Sequence, residues 1–121
     1  METESVSSVL LDTNMLLAAV QFKVDIFAKN SFTLSSCIEE LKKISKEKSK
    51  DAMNSRVILD ILEKNKIPVF AANKKGDSAI IDYAVRNKCA VATNDKELIE
   101  KLKQRKVKVY RLRQKKTLVE A

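Results

Sequence analysis

Four acidic residues stand at points of the chain where side-chain chemistry could occur: Asp12, Glu40, Asp77 and Asp95. Asp12 ends the apolar run of LLDTN at 10–14, and Asp95 ends a similar run in ATND at 92–95. Carboxylates can bind divalent cations, position a water molecule and accept protons. The chain has no histidine and one glycine, which excludes histidine-based catalysis and glycine-rich phosphate loops. Carboxylates, lysines and hydroxyls therefore remain as the main groups for catalysis.

Short apolar runs alternate with segments of helical periodicity along the chain. The apolar runs predict strands at about Val6–Leu11, Ser31–Ser35, Ile67–Phe70, Cys89–Thr93 and Val107–Leu112. The helical pattern predicts helices at about Asn14–Gln21, Val24–Ala28, Ser36–Glu47, Ala52–Asn65, Asp77–Asn87 and Asp95–Arg105. Because Pro68 cannot donate to a sheet, the third strand should be short and lie at an edge. The alternation predicts an α/β fold with a mainly parallel sheet and helices on both faces.

The predicted elements place the four acids at one edge of that sheet. Asp12 directly follows the first predicted strand and Asp95 follows the fourth after Asn94, whereas Glu40 and Asp77 lie in the first turns of helices that leave the same edge. In open α/β sheets, ligands bind in the crevice beyond the carboxyl ends of the strands. We therefore expect the four carboxylates to meet there.

Helix capping is the competing interpretation for each acid, since Asp and Asn are favoured caps and acids suit helix N-termini. For Glu40, the sequence offers a different residue for this task. Ser36 and Glu39 have the spacing of a capping box, which leaves Glu40 beside the apolar stripe with no local partner.

The other acids have a similar local context. Asn94 and Glu97 form a weaker capping pair, which would leave Asp95 free. Asp77 falls on the apolar stripe of its predicted helix rather than on the exposed face. Three of the four acids thus have no evident local role.

Gathering four carboxylates has an electrostatic cost. Two unit charges about 4 Å apart repel by roughly 4 kcal/mol at an effective dielectric constant of 20. Hard divalent cations such as Mg²⁺ and Mn²⁺ offset this repulsion because they prefer carboxylate oxygens and water. Such ions can activate a water for phosphodiester cleavage. The four acids therefore predict a metal-dependent hydrolase site.

The net charge of the chain is +8, with a pI near 9.5, which favours a polyanionic partner, nucleic acid before membrane. An excess of lysine for solubility is the alternative. The segment Lys101–Lys116 is the most basic, and its alternating cations suit an edge strand followed by a tail. They either protect that edge from aggregation or form a surface that follows the phosphates of a nucleic acid, and the residues in question are Lys108, Arg111, Arg113 and Lys115.

The remaining features predict one intracellular domain. We expect residues 1–121 to form a single domain whose last residues, about 113–121, are a basic tail. The start of the chain lacks a signal-peptide pattern, and the apolar runs are too short to cross a membrane, so we expect a cytoplasmic protein without membrane contact. Cys37 and Cys89 have neither paired nor metal-ligand spacing, and we expect both to be reduced core thiols.

Four segments resemble the PIN domain family, which includes many metal-dependent ribonucleases: LLDTN at 10–14, CIEELKKI at 37–44, GDSAIIDYA at 76–84 and VATNDKELIEKL at 91–102. The resemblance implies a three-layer α/β/α sandwich with a central sheet of four to five strands. It implies that Asp12, Glu40, Asp77 and Asp95 hold one or two Mg²⁺ or Mn²⁺ ions, with support from Asn14 and Thr93. Their carboxylates would position and deprotonate the water that attacks an RNA phosphodiester.

Within that family, two groups are most similar. CIEELKKI and the ending VKVYRLRQKK resemble the archaeal and eukaryotic group related to small-subunit ribosomal RNA processing, and VapC-type toxins are similar in the same motifs. Relatives of the first group often have a second acid where this chain has Ser78. The resemblance implies single-stranded or ribosomal RNA as substrate, with a homodimer and an antitoxin protein as candidate partners.

Two other functions remain open at this point. One is an RNA-binding or scaffold module of the same fold that does not cut, although such a module has no use for clustered carboxylates. The other is phosphoryl transfer on Asp12, which would require a second acid where the chain has the amide Asn14.

Overall fold

A six-stranded sheet lies at the centre of the computed structural model, which describes residues 8–27 and 30–121. Its strands are β1 (Val9–Leu11), β2 (Ser31–Leu34), β3 (Val69–Phe70), β4 (Ala90–Ala92), β5 (Val109–Arg113) and β6 (Thr117–Glu120). The helices are α1 (Thr13–Gln21), α2 (Ser35–Ser45), α3 (Lys50–Lys64), α4 (Gly76–Asn87) and α5 (Lys96–Gln104). The strand order is β3-β2-β1-β4-β5-β6, and every pairing except the antiparallel β5–β6 pair is parallel.

Each face of the sheet is covered by helices, as the α/β alternation predicted. Leu10 and Val91 face a core that includes the apolar residues of α4 and α5. Their neighbours Leu11 and Ala92 face the opposite core, formed with α1, α3 and Leu41 of α2. Successive residues of a strand point to opposite faces, and both faces here are buried, which explains the continuous apolar runs. The predicted three-layer α/β/α architecture is confirmed, but the sheet has six strands in the described residues and not the predicted four to five.

The path of the chain creates a crevice between β1 and β4. From β1 the chain moves outward to β2 and β3, then returns through α4 to place β4 on the other side of β1. At such a reversal of strand order the connections diverge to opposite faces and leave a gap beyond the carboxyl ends. This gap is where the structure has room for a site.

One predicted helix is wrong, and part of one predicted strand lies outside the described residues. The segment Val24–Ala28 was predicted as a helix, but residues 24–27 have no helical structure, and residue 28 is not described. The backbone N–H of Phe27 donates to the Asp25 carboxylate at 3.0 Å, a contact that closes a turn instead. The first two residues of the predicted strand Val6–Leu11 are also outside the described ranges. The other predicted strands and helices are present, with shifted ends.

The predicted tail from about 113 to 121 contains a strand. Residues Thr117–Glu120 form β6, which pairs with β5 in the register Arg111↔Val119, so β6 and not β5 is an edge. Gln114 and Lys115 have φ values of 54° and 57° and turn the chain back. Hairpin turns with two left-handed residues usually carry Asn-Gly, and the absence of that signal hid the strand. The prediction that the third strand lies at an edge is confirmed, since β3 is last in the order.

Four helices end in the same hydrogen-bonded cap, the Schellman motif, with lysine in the left-handed position. The cap residues are Lys23, Lys66, Lys88 and Lys106, with φ values of 52–60°. In each case the next N–H reaches back five residues, as in the 3.0 Å bond from Val107 to the Leu102 carbonyl. Val107 and Leu102 also share a core, the apolar contact that accompanies this cap. Glycine is the usual residue at this position, and this chain has only one.

Because the cap is made by the backbone, replacing Lys106 with glycine should leave the fold intact. Glycine relieves the left-handed strain but gains entropy in the unfolded chain, so Lys106→Gly should change the unfolding free energy by less than about 1 kcal/mol. Lys106→Val should destabilise by roughly 1–2 kcal/mol, because a β-branched residue rarely adopts this conformation. Urea unfolding followed by circular dichroism measures both. A larger loss for glycine than for valine would contradict the cap as described.

Candidate active site

Asp12, Glu40, Asp77 and Asp95 line one cavity of about 190 Å³ beyond the carboxyl ends of β1 and β4. Each comes from a different part of the chain: the end of β1, the first turns of α2 and α4, and the residue before α5. No lysine or arginine is among the residues that line this cavity. The crevice predicted from strand order therefore has an acidic lining.

Asp12 is the most buried of the four, with 6% of its surface exposed. It caps α1 by accepting the backbone N–H of Met15 at 2.8 Å, and its other oxygen accepts the Thr93 hydroxyl at 2.5 Å. Burial raises the pKa of Asp12 from 3.8 to about 6, against the lowering effect of these two donors. Asp95 and Asp77 add to the increase by charge repulsion. Asp12 is thus a helix cap whose charge is incompletely compensated despite two hydrogen-bond donors.

Thr93 links the acids on the two neighbouring strands. Its side chain is fully buried, and its hydroxyl donates to Asp12 while accepting the backbone N–H of Asp95 at 3.1 Å. Asn14, the other residue predicted to give support, lines the cavity with an exposed side chain. The threonine therefore holds Asp12 and the start of α5 in a defined relative position.

Asp95 itself is the cap of α5, which differs from the sequence interpretation. Its carboxylate accepts the N–H groups of Glu97 and Leu98 at 3.0 and 3.3 Å. Asn94 was expected to form that cap with Glu97, but its side-chain oxygen instead accepts the Leu112 N–H of β5 at 2.8 Å. Because β5 continues past the end of β4, the Leu112 N–H donates to the Asn94 side-chain oxygen. The cap of α5 therefore falls one residue later, at Asp95.

Glu40 is held by a hydroxyl from another helix. The Thr13 side chain donates to Glu40 Oε1 at 2.7 Å, which connects α1 to α2. The predicted capping box of Ser36 and Glu39 is absent. Because α2 begins at Ser35, the cap position is Leu34, whose side chain makes no capping hydrogen bond. The Ser35 hydroxyl oxygen instead accepts the backbone N–H of Ala72 at 3.0 Å. A tertiary contact to the loop before α4, and not a local box, marks the beginning of α2.

Asp77 lies on the more open side of the cavity. Burial raises its pKa, Asp95 raises it further, and the Lys101 ammonium, 3.9 Å away, opposes both. The preceding residue, Gly76, has a φ of 62°, so α4 starts from a conformation that other residues rarely adopt.

Sequence reasoning missed two residues at this site, Lys101 and Cys37. Lys101 follows Leu98, a cavity residue, by three positions, and this helical spacing could have predicted it. The Cys37 thiol lines the cavity, and burial raises its pKa. Its spacing from Glu40 gives the same helical signal. Both cysteines are free and buried, as expected.

The donor set of the cavity suits a hard divalent cation. It offers four carboxylates and two hydroxyl-bearing side chains, and mutual repulsion of its acids contributes to the raised pKa of Asp12. In residues 8–27 and 30–121, however, no three acidic or cysteine side chains lie close enough together to hold one ion. Each carboxylate points instead to a local donor or cation. The chemistry fits such an ion, and shared binding by all four acids stays a prediction.

The four cations predicted to bind RNA do not form one group. Lys108 lines a different cavity at the amino ends of β4 and β5, whereas Arg113 is at the carboxyl end of β5. The Lys115 ammonium lies 5.0 Å from the centre of the Phe22 ring. Arg111 and Arg113 are exposed on β5.

Among the described residues, no helix is long and apolar enough to span a membrane.

Comparisons with known proteins cover nearly the whole described chain. A family model described as a PIN-like domain matches residues 9–115. Ribonuclease VapC9 of Archaeoglobus fulgidus is 31% identical over 108 residues, which cover 83% of this chain and 78% of the relative. Ribonuclease VapC4 of Methanocaldococcus jannaschii is 35% identical over 118 residues, which cover 87% of this chain and 89% of the relative.

The raised pKa of Asp12 predicts a pH-dependent effect of neutralising it. The folded state binds this proton more tightly than the unfolded chain, so the charged carboxylate reduces stability as pH rises from about 4 through 6. Asp12→Asn removes that titration. As pH rises from 4 to 8, the unfolding free energy of the natural chain should therefore fall relative to that of Asp12→Asn, by on the order of 3 kcal/mol.

Urea unfolding with EDTA at several pH values measures this difference. Asp60→Asn is the control, because Asp60 lies on the exposed surface and pairs with Lys64; its effect should change little with pH. Equal pH profiles for the two variants would contradict the buried-charge account.

Proposed function

The chain belongs to the PIN-like domain family, and we propose that it is a metal-dependent endoribonuclease acting at the cavity lined by Asp12, Glu40, Asp77 and Asp95. The main support for the proposal is that four carboxylates from separate elements line one crevice, which lies beyond the carboxyl ends of β1 and β4, where the strand order reverses. No lysine or arginine lines that cavity, although the Lys101 ammonium lies 3.9 Å from Asp77. The names of two archaeal relatives, both ribonucleases, support RNA as the substrate.

In this proposal, Asp12, Glu40, Asp77 and Asp95 hold Mg²⁺ or Mn²⁺, as one or two ions. A bound ion would supply Lewis-acid stabilisation of charge on the phosphate and lower the pKa of water. Its charge would also offset the repulsion among the acids and draw together side chains that point to local partners without it. The carboxylates that remain free to accept a proton would deprotonate the attacking water.

The surrounding residues orient the carboxylates. Thr93 donates to one oxygen of Asp12 and the Met15 N–H binds the other, so this carboxylate cannot rotate freely. Thr13 does the same for Glu40. Fixed ligands reduce the reorganisation that accompanies binding and reaction. Asn14 lines the cavity with an exposed side chain and would contact the substrate in this proposal.

The biological role that fits the relatives best is a toxin of the VapC kind, paired with an antitoxin protein. Ribosomal RNA processing is the second role that the sequence motifs support. We further propose single-stranded RNA as the substrate, a homodimer as the assembly, and the cytoplasm as the location. Arg111 and Arg113 on β5, together with Lys108 and Lys115, are the candidates for contact with RNA.

Neutralising Asp12 should abolish cleavage without unfolding the protein. Asp12→Asn keeps the helix cap, because Asn caps as well as Asp, but it removes a charged ligand. We expect cleavage of single-stranded RNA in Mn²⁺ to fall by at least about a hundredfold. Gel analysis of end-labelled RNA measures this, with Asp60→Asn as the surface control that should cut normally.

If Asp12→Asn remains folded and still cuts at the natural rate, the assigned site is wrong. If the natural chain binds RNA but does not cut it in Mn²⁺ or Mg²⁺, the non-catalytic RNA-binding module is the correct alternative. Inhibition of the natural enzyme by EDTA, and recovery with Mn²⁺, would support metal dependence.

Metal binding should also stabilise the folded protein in the absence of RNA. A ligand at about a hundred times its Kd adds roughly 2.7 kcal/mol to the unfolding free energy. Since carboxylates bind metal in the charged form, the rise in Tm with Mn²⁺ should be larger at pH 8 than at pH 5. Differential scanning calorimetry measures this shift. An equal Mn²⁺ effect on the natural chain and on Asp12→Asn would argue against a site at this carboxylate.

A further inference from the structure

A second cavity, of about 300 Å³, lies at the opposite edge of the sheet and has a basic lining. Four of its residues are cations that flank the starts of β4 and β5: Lys88, Arg105, Lys106 and Lys108. The rest of the lining is apolar, with small residues such as Ala84 and Ala90, and it includes no carboxylate. The polarity is the reverse of that at the candidate active site.

These four cations have no ion-pair partner within the described ranges. In the described ranges the cations that pair with a carboxylate are Lys64, Lys74, Arg86 and Lys101, so an unpaired cation is common in this chain. What distinguishes this cavity is that four unpaired cations line it together without an acid. The thiol that lines the basic cavity, Cys89, does not supply negative charge either, because burial raises its pKa to about 11. The cavity therefore concentrates four positive charges around a neutral floor.

Helix capping explains part of this arrangement, but not all of it. Lys88 and Lys106 occupy left-handed cap positions, where a cation also complements the negative end of the helix dipole. Arg105 is the C-cap residue of α5, where its charge also complements the helix dipole, whereas Lys108 lies beyond the cap and is not required by it. Glycine would also close both caps with less backbone strain. Because Lys23 and Lys66 fill equivalent caps elsewhere, lysine at these caps is not by itself distinctive, and the use of charge is indicated by four cations without an acid in one cavity.

The cap at the start of β3 provides a comparison within the same molecule. Lys66 has the same left-handed conformation, and it also lines a cavity at the amino edge. That cavity contains the acid Asp25 and only one cation. Equivalent caps thus occur in two electrostatic settings, and of these two cavities only the one at β4 and β5 has several cations and no acid in its lining.

We propose that the cavity formed by Lys88, Arg105, Lys106 and Lys108 binds the phosphate backbone of RNA at a second place on the domain. The choice of RNA as the polyanion rests on the proposed function. Phosphate contacts by lysine and arginine supply affinity without sequence preference, which suits a surface with no aromatic side chain in its lining.

This surface acts on affinity and not on the chemical step. Strands of three to five residues separate the two edges by roughly 10–17 Å, so the phosphate held here is not the one at the acidic cavity. Loss of the basic cavity should raise the KM for long RNA and leave kcat unchanged, because the reacting groups are untouched.

The decisive experiment measures binding of fluorescein-labelled single-stranded RNA by anisotropy in EDTA, where metal-dependent cleavage does not interfere. The variant is Lys88→Gly/Lys106→Gly, which removes two charges and keeps both caps. We expect its Kd to rise about tenfold at low salt. When the logarithm of the RNA association constant is plotted against the logarithm of salt concentration, the slope should fall in magnitude by roughly 1.4. This is about 0.7 for each phosphate that is no longer neutralised. Urea unfolding confirms that the variant is folded.

Lys23→Gly/Lys66→Gly is the matched control, since it makes the same substitution at the same kind of cap and removes the same net charge. Its Kd should remain within about twofold of the natural value. Equal weakening by both double variants would assign the effect to net charge and overturn the proposal. Unchanged binding by Lys88→Gly/Lys106→Gly would overturn it as well.

Two further outcomes separate this proposal from others. If the variant loses binding to a poly-glutamate peptide and keeps binding to RNA, the cavity binds an acidic protein and the proposal is wrong. If the natural chain fails to cut RNA, but RNA binding still depends on Lys88 and Lys106, the second surface stands while the nuclease function fails.

Discussion

The charge of Asp12, buried at the end of β1, is the constraint on which the site depends. A carboxylate that is 6% exposed must find donors, and it finds the Met15 N–H and the Thr93 hydroxyl. These bonds begin α1 and join the end of β1 to the end of β4. They do not fully compensate the charge, since the pKa of Asp12 still rises to about 6. The fold thus places an incompletely neutralised carboxylate at the gap that its topology creates.

Charge along the molecule follows the direction of the helices. Acids gather where α1, α4 and α5 begin, and the left-handed lysine caps lie where the same helices end. Both placements agree with the helix dipole, which favours anions at N-termini and cations at C-termini. Because helices in this sheet return antiparallel to the strands, one polarity appears at each edge. The acidic cavity and the basic cavity are therefore consequences of one architecture.

Capping and candidate catalysis are combined in the same residues. Asp12 and Asp95 each accept N–H groups at the start of a helix, so the structural interpretation that competed with function is correct for both. It does not exclude the other role, because a cap uses one oxygen and leaves the second for another partner. For Asp12, that second oxygen takes the Thr93 hydroxyl. Glu40 and Asp77 have no such capping bond and meet partners from other helices.

Local pattern predicted most of the elements, but it was wrong for Val24–Ala28, missed β6 and misplaced several helix ends. Strand–helix alternation predicted the parallel sheet, and Pro68 predicted its edge strand, because both follow from hydrogen-bonding rules within a few residues. The caps at Ser36 and Asn94 were wrong for one reason: each helix start is set by an amide from another segment, Ala72 for Ser35 and Leu112 for Asn94. The hairpin to β6 was hidden because Gln114 and Lys115 adopt a turn that their types do not signal.

The sequence by itself determined which carboxylates follow strands and helix starts, and hence which edge they share. Periodicity and the carboxyl-end rule need only residue types and spacing. Tertiary structure decided what each acid contacts, how buried it is and where the cations lie relative to it. Those properties depend on distances between segments far apart in the chain, as between Thr13 and Glu40 or Thr93 and Asp12. Such distances are set only when both faces of the sheet are packed.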